Sequence, residues 1–331
     1  MRTDVAMNNK RKQLLIKLYE DNYKDWFYYY DIPDYIKCNE DIYTKFIKGS
    51  SKAKEEGIDI WINFLDSQDR IVYLGVIESL RRDNYQYLDN ALYTYVRTGL
   101  IKSFILASGY DHCISAWNLI PFVLCSNQFD LIEKIYPKEC GLSKNGMAFL
   151  KVTTNLIMYL YYQEYEWQEG IVKQTEKYLS QKDSLENKSI VSALYALVNS
   201  NFSRFSEELS HVCKGRKKSR LFGENKFTKE FSFYSLALFN FARFLYPNDV
   251  DKITLPEDEN FLIDYHLYQE EHNYSIGNHL VMFDNPLNIL HEILNVDTPS
   301  VSLVKEGRAL IVDTEIYKNK LISKIENKIG I

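Results

Sequence analysis

Glycine and proline are scarce in this sequence, which has 13 glycines and 7 prolines in 331 residues. A β-sheet protein of this length needs many tight turns, and those turns need glycine, proline and Asn-Gly pairs. Their scarcity disfavours an extensive sheet and favours helices joined by short polar loops. Hydrophobic residues make up 46% of the chain and charged residues 26%, which are the proportions of a globular protein.

Patterns of secretion, membrane insertion and disulfide-rich folds are also absent. The five cysteines are odd in number and widely spaced, with no CxxC pair, so no disulfide framework is expected. Residues 1–20 carry charges throughout and contain no apolar signal-peptide core. The longest apolar run, residues 156–162, is too short to cross a bilayer. We therefore expect a cytoplasmic protein with no membrane partner.

Catalytic motifs are absent as well. The sequence contains neither GxGxxG nor GxSxG, and the segment 215–219 lacks the upstream glycine of a phosphate-binding loop. Cys113 and Cys125 lie in apolar stretches, and we interpret them as buried, inert thiols rather than nucleophiles. On this basis we predict no enzyme activity, no catalytic residues and no cofactor.

A metal site has one candidate set in the sequence. His266 and Glu270 are four positions apart and would share a helix face, with His272 close by and His279 and His291 downstream. Zinc sites require two or three such ligands on supported elements. Because no HExxH motif occurs, we interpret these residues as ordinary polar surface and predict no metal.

Hydrophobic spacing predicts an all-α fold, a TPR-like antiparallel helical array. The clearest unit is residues 190–213: two helices separated by the turn Asn199-Ser-Asn201, with Ala193, Leu194 and Leu197 inward on the first and Phe205 and Leu209 inward on the second. A short hairpin or edge strand is expected within residues 301–313. We predict an N-terminal helical region at 1–140, a repeat-like region at 141–296 and a tail with an amphipathic helix at 297–331.

Local signals predict five helices and some of their ends. They are a first helix ended by Asp31-Ile-Pro33, a helix over 86–108 broken near Gly99, a helix opened by Asp111 and divided or kinked by Pro121, a buried helix at 145–163, and a helix at 228–246 capped by Thr228.

Charge is concentrated in two local clusters, although the net charge of −5 disfavours general nucleic-acid binding. The first is a basic connection after the second helix of the pair, which we expect to be an exposed loop that is either simply solvated or docks on an acidic protein patch or on phosphates: Lys214, Arg216, Lys217, Lys218 and Arg220. The second is the acidic patch around one tryptophan: Glu164, Glu166, Trp167 and Glu169. The stretch 257–272 is also acidic, and such surfaces would suit capture of a basic, nucleic-acid-cleaving toxin.

The second half of the chain resembles the immunity proteins of bacterial polymorphic toxin systems, most nearly the immunity protein 49 family. The resemblance spans about residues 145–290 and depends on the layout of three segments: 190–205, the basic stretch 214–220 and Phe231-Ser-Phe-Tyr-Ser-Leu-Ala-Leu-Phe239. It implies an all-helical protein that binds a cognate toxin domain and occludes its active site.

Two functional hypotheses remain open. One is an immunity protein whose partner is a toxin. The other is a TPR-like scaffold or regulator that holds a peptide or protein in an aromatic groove, for which Tyr159, Tyr161, Tyr162 and Tyr165 are available. The sequence does not determine the oligomeric state.

Overall fold

The fold is helical, with one small β-hairpin near the C-terminus, as the sequence predicts. The computed structural model describes residues 7–26, 28–49, 57–65, 70–105, 112–144, 146–219, 225–307 and 309–329. In chain order the longer elements are α1 (Asn9–Asn22), α2 (Ile32–Ile42), α3 (Ile58–Phe64), α4 (Arg70–Arg82), α5 (Gln86–Ile105), α6 (His112–Trp117), α7 (Ile120–Cys125), α8 (Ile132–Ile135), α9 (Ala148–Tyr162), α10 (Gln168–Leu179), α11 (Leu185–Val198), α12 (Phe202–Lys218), α13 (Phe233–Leu245), α14 (Ile263–Glu271), α15 (Ile289–Leu294), β1 (Leu303–Glu306), β2 (Ala309–Val312) and α16 (Thr314–Ile329).

Short helical turns connect several of these helices. They are a π-helical turn at Tyr43–Ile47 and 3₁₀ turns at Phe129–Leu131, Lys138–Cys140, Tyr165–Trp167, Thr228–Glu230 and Val250–Lys252. No helix in the described part of the chain combines the length and apolar character that crossing a membrane requires.

The described residues form two compact units, each assembled from segments that are distant in sequence. The first unit takes its described residues from Tyr110–Tyr274 and Leu303–Ile311, with Met7. The second takes them from Asn8–Gly109, Ser275–Ser302 and Val312–Ile331.

The core of the first unit is a succession of antiparallel helices. Helices α9, α10 and α11 pack together, α11 pairs with α12, and α13 packs against α12, α11 and α7. The α11–α12 pair confirms the predicted helix-turn-helix, including the turn at 199–201, where the side chain of Asn201 caps α12 by accepting from the amide of Arg204. The inward stripe is also confirmed, since Leu194, Leu197 and Phe205 are fully buried.

The second unit is built on the antiparallel pair α4 and α5. Gly75 allows their close approach, because a Cβ there would lie 2.3 Å from the Cβ of Ala91. Helix α16 packs on α5, where the hydroxyl of Tyr317 donates to the carbonyl of Leu100 at 2.8 Å. The tail predicted as an amphipathic helix therefore contributes Leu321 and Ile325 to this core.

Three predicted boundaries are wrong. Asp31 and Pro33 start α2 instead of ending α1, because the Asp31 side chain caps α2 and Pro33 occupies its first turn. Helix α5 continues through Gly99, which is buried inside it. Thr228 belongs to a 3₁₀ turn, and α13 begins at Phe233.

Other boundary predictions have mixed outcomes. The prediction that Pro121 divides a helix is confirmed, since it lies in the first turn of α7. Asp111 lies outside the described residues.

Candidate functional site

The acidic patch predicted around Trp167 lies where α9 ends and α10 begins. Helix α9 stops because Gln163 adopts the left-handed conformation (φ 53°, ψ 39°) and its amide donates to the carbonyl of Tyr159 at 2.8 Å. The 3₁₀ turn Tyr165–Trp167 follows at once and leads into α10. This tight connection places Glu164, Glu166, Trp167 and Glu169 on one short stretch of surface.

A row of aromatic rings runs from this connection across the surface of the first unit. Ring centroids are 4.3 Å apart for Phe129 and Phe244, 6.1 Å for Phe244 and Tyr161, 5.1 Å for Tyr161 and Tyr162, and 6.3 Å for Tyr162 and Trp167. These five residues, which we call the aromatic row, come from α13, α9 and two 3₁₀ turns.

Part of this aromatic surface faces solvent. Phe244 is 42% exposed and the neighbouring Tyr165 is 81% exposed. A contiguous patch of exposed aromatic side chains, unlike a single exposed one, marks a candidate surface for binding another protein.

Two tyrosines of the aromatic row are held in place by their hydroxyls. Tyr162 donates to the carbonyl of Tyr136 at 2.8 Å, and Tyr161 donates to Oε1 of Glu133 at 3.2 Å. Burial, and then the carboxylates of Glu133 and Asp130, raise the pKa of Tyr161 to about 12, so its hydroxyl remains a donor at neutral pH. The rings are thus fixed before any partner arrives, which lowers the entropic cost of binding.

Five carboxylates lie on the segments that carry or contact the aromatic row, and we call Asp130, Glu133, Glu164, Glu166 and Glu169 the acidic rim. Glu166 and Glu169 are exposed, whereas Glu164 forms an ion pair with Lys138. The surface therefore combines fixed aromatic rings with a negative edge, an arrangement that suits a basic protein surface.

The basic cluster has a different structure from the one predicted. Lys214–Lys218 form the last turns of α12 and not a loop, and cations are favourable there because they face the negative end of the helix dipole. Lys214, Lys217 and Lys218 share the outer face by helical spacing and are exposed. Arg220 lies outside the described residues.

Arg216 departs furthest from the prediction of an exposed cluster. It points to the opposite side of α12, is 8% exposed and donates to the carbonyl of Thr228 at 3.3 Å. Lys217 lies 3.8 Å from the carboxylate of Glu259. The cluster is therefore divided between a buried contact and an exposed face.

The sequence's metal candidates occupy separate environments. The ring of His266 is buried edge-on against Phe239, with centroids 4.9 Å apart. His272 is exposed, stacks on Tyr268 at 4.1 Å and donates from Nδ1 to the Tyr268 carbonyl at 2.8 Å. Across the described part of the chain, no three His, Cys, Asp or Glu side chains are grouped so that they could hold a metal ion.

The prediction of buried thiols is confirmed for both cysteines it named. Cys113 and Cys125 are buried, and Cys125 donates from Sγ to the carbonyl of Phe233 at 3.1 Å. Burial raises the pKa of Cys125 well above its ordinary value, so this thiol is protonated and a poor nucleophile at neutral pH.

Sequence reasoning missed Phe129 and Phe244 as members of the aromatic row. Both belong to stretches rich in apolar residues, where periodicity predicts a buried position. Phe244 is 42% exposed because the neighbouring segments leave its side chain uncovered, which only the tertiary structure shows.

Comparison of the chain with protein-family models, with curated proteins and with solved structures gives no match.

Proposed function

We propose that this chain binds a protein partner with a basic surface through the aromatic row and its acidic rim, and that the partner is a cognate bacterial toxin domain that binding neutralises. The observation that supports binding is the fixed, partly exposed row of aromatic rings flanked by carboxylates. The toxin as partner follows from the resemblance of residues 145–290 to immunity proteins.

The composition of this surface matches the residues that dominate the energetics of protein interfaces. Tryptophan and tyrosine are enriched among the residues whose truncation weakens binding most. Each buries a large apolar area while losing little conformational freedom on binding. The hydrogen bonds of Tyr161 to Glu133 and of Tyr162 to Tyr136 already restrict these two side chains before binding.

The acidic rim would contribute mainly to the rate and specificity of association. Carboxylates attract a basic partner over the distance at which charges are unscreened, about 8 Å at physiological salt. A toxin that cleaves nucleic acid presents basic residues to the phosphates of its substrate, so the acidic rim would compete for those same residues.

The proposal predicts that a toxin domain is encoded beside this chain, and the test is co-expression of the two. We expect growth to be restored and a one-to-one complex to be isolated, with an association rate that falls as salt rises. Failure to protect and failure to form the complex would reject the toxin as partner. Binding of extended peptides with no protection would instead favour the helical scaffold.

A further inference from the structure

A second site lies in the first unit, at a cavity of about 740 Å³ between α13, the segment 247–257 and α14. Its volume is in the range of pockets that hold drug-sized ligands, roughly 300–1,000 Å³. Of the residues that line it, Asn248, Asp251 and Glu257 are exposed, so the cavity opens to solvent on that side.

The inner wall of the cavity is apolar and firmly supported. Phe239 and Ile253 are buried there, and Phe239 meets the ring of His266 edge-on. Tyr274 closes one side, and its ring is held from behind by the guanidinium of Arg243, 3.5 Å from the ring centroid.

Apart from His266, the acidic and basic side chains that line the cavity are all carboxylates. Asp251, Glu257 and Glu270 line the cavity, and its lining contains no lysine or arginine. Lys252, next to Asp251 in sequence, pairs with Asp249 at 2.6 Å and is close enough to interact electrostatically with Asp251, so Glu257 and Glu270 are the carboxylates of the lining farther from it in sequence. Three carboxylates around a partly enclosed apolar cavity produce a negative potential that concentrates cations.

We propose that this cavity binds a short basic peptide segment, taking an arginine side chain between the carboxylates while flanking apolar residues cover Phe239 and Ile253. The long stem of an arginine packs on apolar surface while its charged head remains near the opening, which matches an apolar inner wall with carboxylates closer to solvent. The guanidinium donates in a planar fork, a geometry that pairs with carboxylates. This site is separate from the aromatic row and does not depend on the proposed toxin partner.

The test is an NMR titration of the full chain, labelled at isoleucine methyls, with acetyl-Leu-Arg-Leu-amide. We expect saturable shifts at Ile253 and Ile263, which line the cavity. The matched peptide acetyl-Leu-citrulline-Leu-amide has the same shape without the charge, and we expect it to bind at least tenfold more weakly. Equal binding of the two peptides, or shifts located elsewhere, would overturn the proposal.

Variants identify the carboxylates that bind the cation. Glu270→Gln and Asp251→Asn should each weaken the arginine peptide several-fold. Glu271→Gln is the matched control, since Glu271 is the next residue of α14, is exposed and does not line the cavity. An effect of Glu271→Gln as large as that of Glu270→Gln would contradict a specific role for the cavity.

A third arm distinguishes a peptide from a free cation. Agmatine carries the same guanidinium on a short amine, without flanking apolar residues. We expect it to bind at least tenfold more weakly than the tripeptide. Agmatine that binds as tightly as the tripeptide would overturn the peptide as the occupant.

Discussion

Buried amides connect three segments of the first unit at Asn240 and Gln269. Asn240 donates to the carbonyl of Cys125 at 3.2 Å and to Oε1 of Gln269 at 3.1 Å, and Gln269 donates to the same carbonyl at 2.7 Å. Both side chains are at most 1% exposed. In such an interior, removing one partner leaves the others without their hydrogen bonds.

We predict that Asn240→Ala lowers the free energy of unfolding by about 1–3 kcal/mol, the cost of leaving buried polar groups unsatisfied. Chemical denaturation would measure it. Asn199→Ala is the control, because Asn199 is exposed and its amide bonds only to the carbonyl of Tyr195 among the described residues. Equal losses in the two variants would mean that the buried amides do not stabilise the unit.

The environment of His279 indicates that the stability of the second unit depends on pH. Burial lowers the pKa of His279, the charges of His291, Arg97 and Lys328 lower it further, and a hydrogen bond to Asn295 opposes them. The folded chain therefore binds fewer protons at this ring than the unfolded chain. Its contribution to stability is complete above the unfolded pKa of about 6.5 and is lost as the pH falls below that value.

We expect the free energy of unfolding to fall on acidification below about pH 6.5, and His279→Gln to flatten that fall. Urea titrations at a series of pH values would measure both. His272→Gln, at an exposed position, should leave the wild-type pH dependence intact. An equally steep fall in the free energy of unfolding of the His279 variant would mean that other groups cause the pH dependence.

For helices, local sequence signals do not predict how closely two of them approach each other. Gly215 lies in the last turns of α12 directly against α11, where an added Cβ would lie 2.5 Å from the backbone nitrogen of Glu186. Gly170 in α10 has open space around the same position. Two helical glycines therefore have opposite roles.

We predict that Gly215→Ala destabilises the chain by about 1–3 kcal/mol through overpacking. Gly170→Ala should stabilise it by up to about 1 kcal/mol, since alanine is the better helix former. Thermal unfolding of the two variants would show shifts of opposite sign. Stabilisation by both substitutions would mean that α11 and α12 can separate without loss.

Local sequence signals predict an element well where residues close together in sequence determine its structure. The turn at 199–201, the division at Pro121 and the hairpin within 301–313 each combine a strong local preference with matching periodicity, and each is confirmed. The predicted break at Gly99 and the predicted exposure of Arg216 are wrong because tertiary neighbours determine both environments. Gly99 is buried within the continuous helix α5, and Arg216 is buried where it donates to the carbonyl of Thr228.

The aromatic row shows the same limit in the candidate site. Trp167 and part of the acidic rim could be predicted because Trp167 and the carboxylates of Glu164, Glu166 and Glu169 are close together in sequence. Phe129 and Phe244 could not, because 114 residues lie between them in sequence and only folding brings their ring centroids to 4.3 Å.

At the scale of the whole molecule, the units are assembled from segments that composition alone does not connect. The tail helix α16 belongs to the second unit, where Leu321 is fully buried and Lys318 pairs with Asp59 at 2.7 Å. Composition indicates possible linkers. It does not indicate which segments pack into the same core, because that depends on complementary surfaces.

We predict that Leu321→Ala lowers the stability of the second unit by about 2–5 kcal/mol, as for other fully buried leucines. Ile316→Ala on the same helix is the control, because Ile316 is 44% exposed and should change stability by at most about 0.5 kcal/mol. Hydrogen exchange at α5 would report the loss directly. Unchanged protection of α5 would show that the tail does not stabilise it.

The proposal that the aromatic row recognises a basic toxin domain is tested most directly by the affinity of Trp167→Ala for such a domain, which we expect to be encoded beside this chain. We expect a loss of at least 2 kcal/mol, about 30-fold in Kd, as at interface hot spots. The matched variant Tyr195→Ala removes another partly exposed aromatic residue of the first unit and should bind like wild type. Wild-type affinity in Trp167→Ala, or no binding by the unmodified chain, would mean that the aromatic row does not recognise this partner.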